Sequence, residues 1–149
     1  MDYFIYLTAP AHLAQFIKHT FGYPAELIRD SPEARILREY LTKQPDESTS
    51  DESECNVKIR IPYFKEKDPR VYNYITPATK QVLLESFDEL LKRSMYQEIG
   101  ALGNVNCKLS SLIYAYMEKH GIDEKHWDTI AKKWYRFRQS YSKQAGVTI

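Results

Sequence analysis

Lys132-Lys133-Trp134-Tyr135-Arg136-Phe137-Arg138-Gln139-Ser140-Tyr141-Ser142-Lys143 is the stretch on which the architecture of this chain turns. Its twelve residues hold five cations and no acid, in a 149-residue protein of formal net charge +1. Residues 124–143 are projected as one helix at about 100° per residue. Trp127, Ile130, Ala131, Trp134 and Arg138 then follow one line, and four of these five belong in a core, so the line predicts a buried stripe that Phe137 or Tyr141 extends. Lys125, Lys132, Arg136 and Lys143 gather on the far side with Gln139 among them, while Lys133 and Ser140 lie nearer the edge. Local positive charge on a near-neutral background fits a polyanion, and DNA fits it better than RNA.

Reading back from that helix, Asp123 is placed to cap it and Gly121 to stop the helix before it. The preceding helix has Leu109, Leu112, Ile113 and Met117 facing inward. Thr76 and Pro77 open a longer helix with Val82, Leu83, Phe87, Leu90, Leu91 and Met95 at a three-to-four spacing, ending near Gly100. Residues 103–106 connect the two. Residues 76–143 are therefore expected to form a three-helix bundle, with 144–149 as a tail. The short Gly121-Ile122-Asp123 turn matches a helix-turn-helix, in which the second helix is the reader.

Residues 1–75 are expected to form a small α+β half, so the fold class is α+β, predominantly helical. Tyr3-Phe4-Ile5-Tyr6-Leu7 is dense in aromatic and β-branched residues and predicts a strand. Thr8 as cap and Pro10 introduce a helix with Leu13, Phe16, Ile17 and Phe21 on one face, stopped by Gly22. After the extended Ala25-Glu26-Leu27-Ile28-Arg29, Ser31 and Pro32 start a second helix, expected to bury Ile36, Leu37, Tyr40 and Leu41. An acidic loop over 45–56 carries Asp46, Glu47, Asp51, Glu52 and Glu54 without a cation, and reads as solvated. Val57-Lys58-Ile59-Arg60-Ile61 alternates apolar and basic residues, as a strand with one wet face does, and Pro62 ends it. Residues 62–74 show no helical period and read as an aromatic and basic loop.

The opening Met1-Asp2-Tyr3-Phe4-Ile5-Tyr6-Leu7 has an acid where a signal peptide needs cations, so a cytoplasmic location and no membrane association are expected. Cys55 and Cys107 lie far apart with no Cys or His at ligand spacing, which suits reduced thiols. His12, His19, His120 and His126 read as surface or capping residues. Neither a phosphate-cradling glycine loop nor a zinc motif is present, and no catalytic residue, cofactor or metal is assigned. Arg70 with Tyr72 and Tyr74 has the residue types of a strand-transfer nucleophile and its phosphate clamp, but in a chain with twelve tyrosines ordinary packing explains them as well.

Lys125, Lys132, Lys133, Arg136, Gln139 and Lys143 are the expected nucleic-acid contacts. Lys and Arg meet phosphates or guanine edges, and Gln139 is suited to adenine. A secondary group, Lys65, Lys67, Arg70 and Tyr72, sits near Tyr63 and combines phosphate charge with stacking faces. The plainer explanation of the basic helix is cations that solvate its outer face and complement its C-terminus; after nucleic acid comes a protein or the acidic loop as partner. A protein-interaction or assembly module using Tyr63, Phe64, Tyr72 and Tyr135, with a second copy or another protein as partner, is the competing class.

Trp134-Tyr135-Arg136-Phe137-Arg138 in a third helix resembles the reading helix of homeodomain-like folds, though the family's adenine-reading Asn has no match here. That resemblance implies a Trp–aromatic anchor with arginines turned to DNA. Three further stretches carry a second likeness. They are Ile5-Tyr6-Leu7-Thr8 through His19 to Phe21-Gly22, Ile61-Pro62-Tyr63-Phe64 through Asp68-Pro69-Arg70 to Tyr72-Asn73-Tyr74, and the helix from Tyr114 to Gly121. Together they resemble a family of small uncharacterised proteins frequent in Bacteroides-type genomes. This resemblance implies a mobile-element setting, in which DNA-binding proteins are common, and no transferable activity.

Overall fold

A computed structural model describes residues 2–45, 55–101 and 108–144, with the backbone alone for 101 and 141–144. Most of the expected acidic loop, Cys107 and the 103–106 connection lie outside the described residues. The fold is α+β and predominantly helical. Its order is β1 (Phe4–Leu7), α1 (Ala11–Phe21), α2 (Pro32–Tyr40), β2 (Thr42–Lys43), β3 (Val57–Arg60), β4 (Tyr72–Tyr74), α3 (Pro77–Ala101), α4 (Leu109–Lys119), a 3₁₀ turn (Glu124–His126) and α5 (Trp127–Gln144). Compactness divides the chain within α3, into Met1–Asp88 and Glu89–Ile149.

In the first unit, β1 and β3 pair antiparallel with Ile5 opposite Ile59 and Leu7 opposite Val57. Alternation drives this register, since these four side chains are buried while Phe4, Tyr6, Lys58 and Arg60 are not. A one-residue slip would turn the whole apolar set to water. The Lys58 ammonium instead lies 4.1 Å from the centre of the Phe4 ring. Ala25 extends the sheet by a parallel bridge to Ile59, its amide donating to the Lys58 carbonyl at 2.7 Å. Helix α1 begins later than the Thr8 cap predicts. Pro10 occupies the cap position without a side-chain bond, because Asn56 clamps Ala9, accepting from its amide at 2.8 Å and donating to its carbonyl at 2.7 Å. Gly22 ends α1 at φ +89°, a conformation a side chain disfavours.

Ser31 caps α2 as expected, accepting from the Ala34 amide at 3.2 Å with Pro32 as the first helical residue. Its buried face is Ala34 and Leu37, continued by Leu41. Ile36 is only half-buried and Tyr40 is 49% exposed, so the predicted face is rotated towards Glu33. Glu33 is buried because Ser86 of α3 donates to its carboxylate at 2.7 Å, which satisfies a group that is costly to desolvate alone. Phe21 meets Phe87 edge-on at 5.7 Å. Thr76 caps α3 by accepting from the Thr79 amide. Val82 turns outward at 47% exposure while Leu83 and Phe87 are fully buried.

The 62–74 segment is not all loop, since Tyr72–Tyr74 forms β4 against β2. Strands this short have no period to detect, which is why the pair escapes sequence inspection. Among the described residues no helix is long and apolar enough to cross a membrane.

Candidate nucleic-acid interface

The second unit is built from the later turns of α3 with α4 and α5. Leu91, Met95 and Ile99 of α3, Ile113 and Met117 of α4, and Ile130, Ala131 and Trp134 of α5 are among its buried apolar residues. Each large side chain so buried contributes about 1.5–3 kcal/mol. Two polar contacts fix α4 on α3. The buried Tyr116 hydroxyl bonds Ser94 Oγ at 3.0 Å, and burial pushes its ionisation well above the ordinary phenol value. Glu98 accepts from Lys119 at 3.1 Å and pairs with His120 at 2.9 Å. Partial burial of Glu98 raises its pKa, but the bonds to His120 and Lys119 outweigh that and hold it below its usual value.

Helix α4 ends in a glycine cap. Gly121 has φ +70°, and the Ile122 amide returns to the Met117 carbonyl at 2.9 Å with the Ile122 side chain buried. Asp123 then caps the next segment, accepting from the Lys125 amide at 3.0 Å. The first turn is 3₁₀, so α5 proper starts only at Trp127. Trp127 stacks on Tyr114 of α4 with ring centres 5.6 Å apart. Further along, Tyr96 lies against Trp134 at 6.2 Å and meets Phe137 edge-on at 5.9 Å. These contacts orient α5 and leave its other side to solvent.

Lys132, Arg136 and Gln139 are exposed on that side. At about 100° per residue they fall within roughly 60° of one another. Among the described residues neither Lys132 nor Arg136 makes an ion pair or side-chain hydrogen bond, whereas Arg38, Arg60, Arg70, Lys92 and Lys119 all sit on carboxylates. Lys133 is half-buried and has an intramolecular partner, which sets it apart from the row. Lys125 is exposed but belongs to the 3₁₀ turn, so the α-helical spacing that aligned it with Lys132 does not reach it. Lys143 lies in the last turn of α5, outside the described side chains. The one acid of the helix, Asp128, is in its first turn, where it complements the dipole.

Arg138, which the projection sets beside the core, is exposed. Burial fades past Trp134, with Phe137 already half-buried, so the inward line of the helix ends in a cation that, among the described residues, also makes no ion pair or side-chain hydrogen bond.

The secondary group is largely taken up by folding. Lys67 donates to the carbonyls of Glu39 (2.9 Å) and Leu41 (2.8 Å) and so closes the C-terminus of α2. Arg70 is held by Asp68 through contacts of 2.7 to 3.2 Å. Tyr72 is half-buried in β4 with the ammonium groups of Lys43 and Lys67 each 6.0 Å from its ring. Lys65 stays exposed. Of the aromatics, Tyr63 is 82% and Tyr135 50% exposed, but Phe64 and Tyr72 are half-buried. His12, expected at the surface, is buried in α1 at 7% exposure. Among the described residues no three His, Cys, Asp or Glu side chains gather to hold a metal. No protein-family model, curated protein or solved structure matches the chain.

Proposed function

We propose that this protein binds nucleic acid, duplex DNA in the first place, by laying the exposed side of α5 along the phosphate backbone or in the major groove. The observation that carries the proposal is the row of Lys132 and Arg136, with Arg138 exposed beyond the end of the buried stripe; among the described residues none of the three has an ion pair or side-chain hydrogen bond, in a protein that holds Arg38, Arg60 and Arg70 on carboxylates. Unpaired cations retain their full attraction for phosphate, while paired ones must first break a contact. Gln139 beside them has the donor and acceptor that adenine presents in reverse. Support also comes from the glycine-capped turn between α4 and α5, which is short enough for a helix-turn-helix arrangement. Burial of Trp134 with exposure of Arg136 and Arg138 agrees with the division of labour that the homeodomain-like resemblance implies.

A protein-interaction module is the second reading, and exposed Tyr135 next to the row is what favours it. An electrophoretic shift with the full chain distinguishes the two. Retardation of random duplex at low salt, lost on the order of tenfold in Lys132→Ala/Arg136→Ala, is the expected result. Absence of retardation at low salt overturns the proposal.

A further inference from the structure

In the first unit a cleft of about 850 Å³ opens between two segments far apart in sequence. One wall is the approach to α2 with its first two turns, and the other is the loop after β3. Its volume is within the range of about 300–1,000 Å³ usual for small-ligand sites. Leu27, Ala34 and Pro62 supply apolar lining, and Tyr63 stands on the rim at 82% exposure. Arg29, Arg35, Arg38 and Lys65 also line it, against the two carboxylates of Asp30 and Glu66. The acids do not cancel the cations evenly. Arg38 and Glu66 neutralise each other across the cleft at 3.0 Å. Arg29, Arg35 and Lys65 make no side-chain hydrogen bond or ion pair among the described residues.

We propose that this cleft binds a phosphorylated nucleoside, whose source is a free nucleotide or an unpaired nucleotide of a strand. Two features are needed together and both are present. Three uncommitted cations on facing walls suit a phosphate, with two guanidiniums able to make paired contacts to its oxygens. An aromatic ring left in water costs the fold nothing to lose and offers a stacking face for a base. Charge alone would suit an acidic peptide equally well, but the exposed Tyr63 ring beside the charge selects a ligand with its own planar face. The Arg38–Glu66 pair links α2 to the loop across the cleft. The site lies in the first unit and stands independently of α5.

Binding of fluorescein-labelled dT12 to the full chain, followed by anisotropy, tests the proposal, with unlabelled dTMP, inorganic phosphate and polyglutamate as competitors. The background is Lys132→Ala/Arg136→Ala/Arg138→Ala, which removes the α5 cations that carry the proposed duplex contact, so the two readings are tested separately. Tyr63→Ala is expected to weaken binding roughly tenfold. Arg29→Ala/Arg35→Ala is expected to flatten the dependence of log affinity on log salt by about 0.7 per cation. Both variants alter exposed side chains, and unchanged thermal melts confirm that they fold. Displacement by dTMP identifies a free-nucleotide site, and displacement by unlabelled dT12 alone identifies a strand site. Equal displacement by inorganic phosphate or polyglutamate, or indifference to Tyr63→Ala, overturns the proposal.

Discussion

Replacing Trp134 separates folding from binding in α5. The side chain is 3% exposed, packs against Tyr96 at 6.2 Å, and among the described residues its buried indole N–H has no hydrogen-bond partner. Trp134→Ala removes the whole ring from a packed site and should cost about 3–5 kcal/mol. That is a large share of the roughly 5–15 kcal/mol typical of a domain. Trp134→Phe removes roughly 40 Å³, which at about 24 cal/mol per Å³ costs about 1 kcal/mol in cavity alone. It also deletes the N–H, and burying a donor without a partner costs about 1–3 kcal/mol. The two effects oppose, so Trp134→Phe should lie between the stability of the parent protein and about 2 kcal/mol above it. Urea unfolding followed by far-ultraviolet circular dichroism measures both variants, and Trp134→Phe should keep the parent affinity for duplex. A loss below about 1 kcal/mol in Trp134→Ala would show that the ring is not part of the core. Equal losses in the two variants would refute the offset between cavity and N–H.

Three further outcomes follow from the same contacts. Glu98 is held below its ordinary pKa, so its contribution is fully present above the ordinary carboxylate value and is lost as pH falls from there through the lower folded value. The difference in melting temperature between the parent and Glu98→Gln should therefore shrink on acidification, and a difference that grows would contradict the pairing. Tyr116 is shifted the other way by burial, so its stabilising effect persists below the ordinary phenol value and disappears only at higher pH. In an absorbance titration Tyr116→Phe should remove a late-ionising tyrosine. Lys67→Met should lower stability by about 1–2 kcal/mol through the lost bonds to Glu39 and Leu41. It should leave duplex affinity within about twofold, because Lys67 is committed to the helix end; a larger loss would return it to the interface.

Elements governed by neighbours in sequence are legible without the structure. Ser31-Pro32, Thr76-Pro77, Gly22 and Gly121 mark helix ends through local chemistry, and the Val57–Arg60 alternation marks a half-buried strand. What escapes depends on residues distant in the chain. Thr8 has the residue type of a cap, but Asn56 from the β3 side holds Ala9 and leaves Pro10 as the cap. Strands β2 and β4 exist only through their pairing, Thr42 with Tyr74. Periodicity identifies apolar faces in α2 and α3 without locating their centres, hence the exposure of Tyr40 and Val82. The candidate site follows the same rule. Lys132, Arg136 and Gln139 share a face because one helix carries them, while Lys67 and Arg70 match by residue type alone and are occupied by partners no composition reveals. Arg29 and Arg35 carry no signal in the sequence because only folding brings them to Tyr63.

The most direct measurement of the central claim is duplex affinity over a salt series for the parent chain and Lys132→Ala/Arg136→Ala/Arg138→Ala. Each phosphate contact contributes about 0.9 to the slope of log affinity against log salt, so the triple variant should be shallower by up to roughly 2.7. Binding that ignores salt, or a slope that survives the three substitutions unchanged, would contradict the assignment of α5 as the nucleic-acid face.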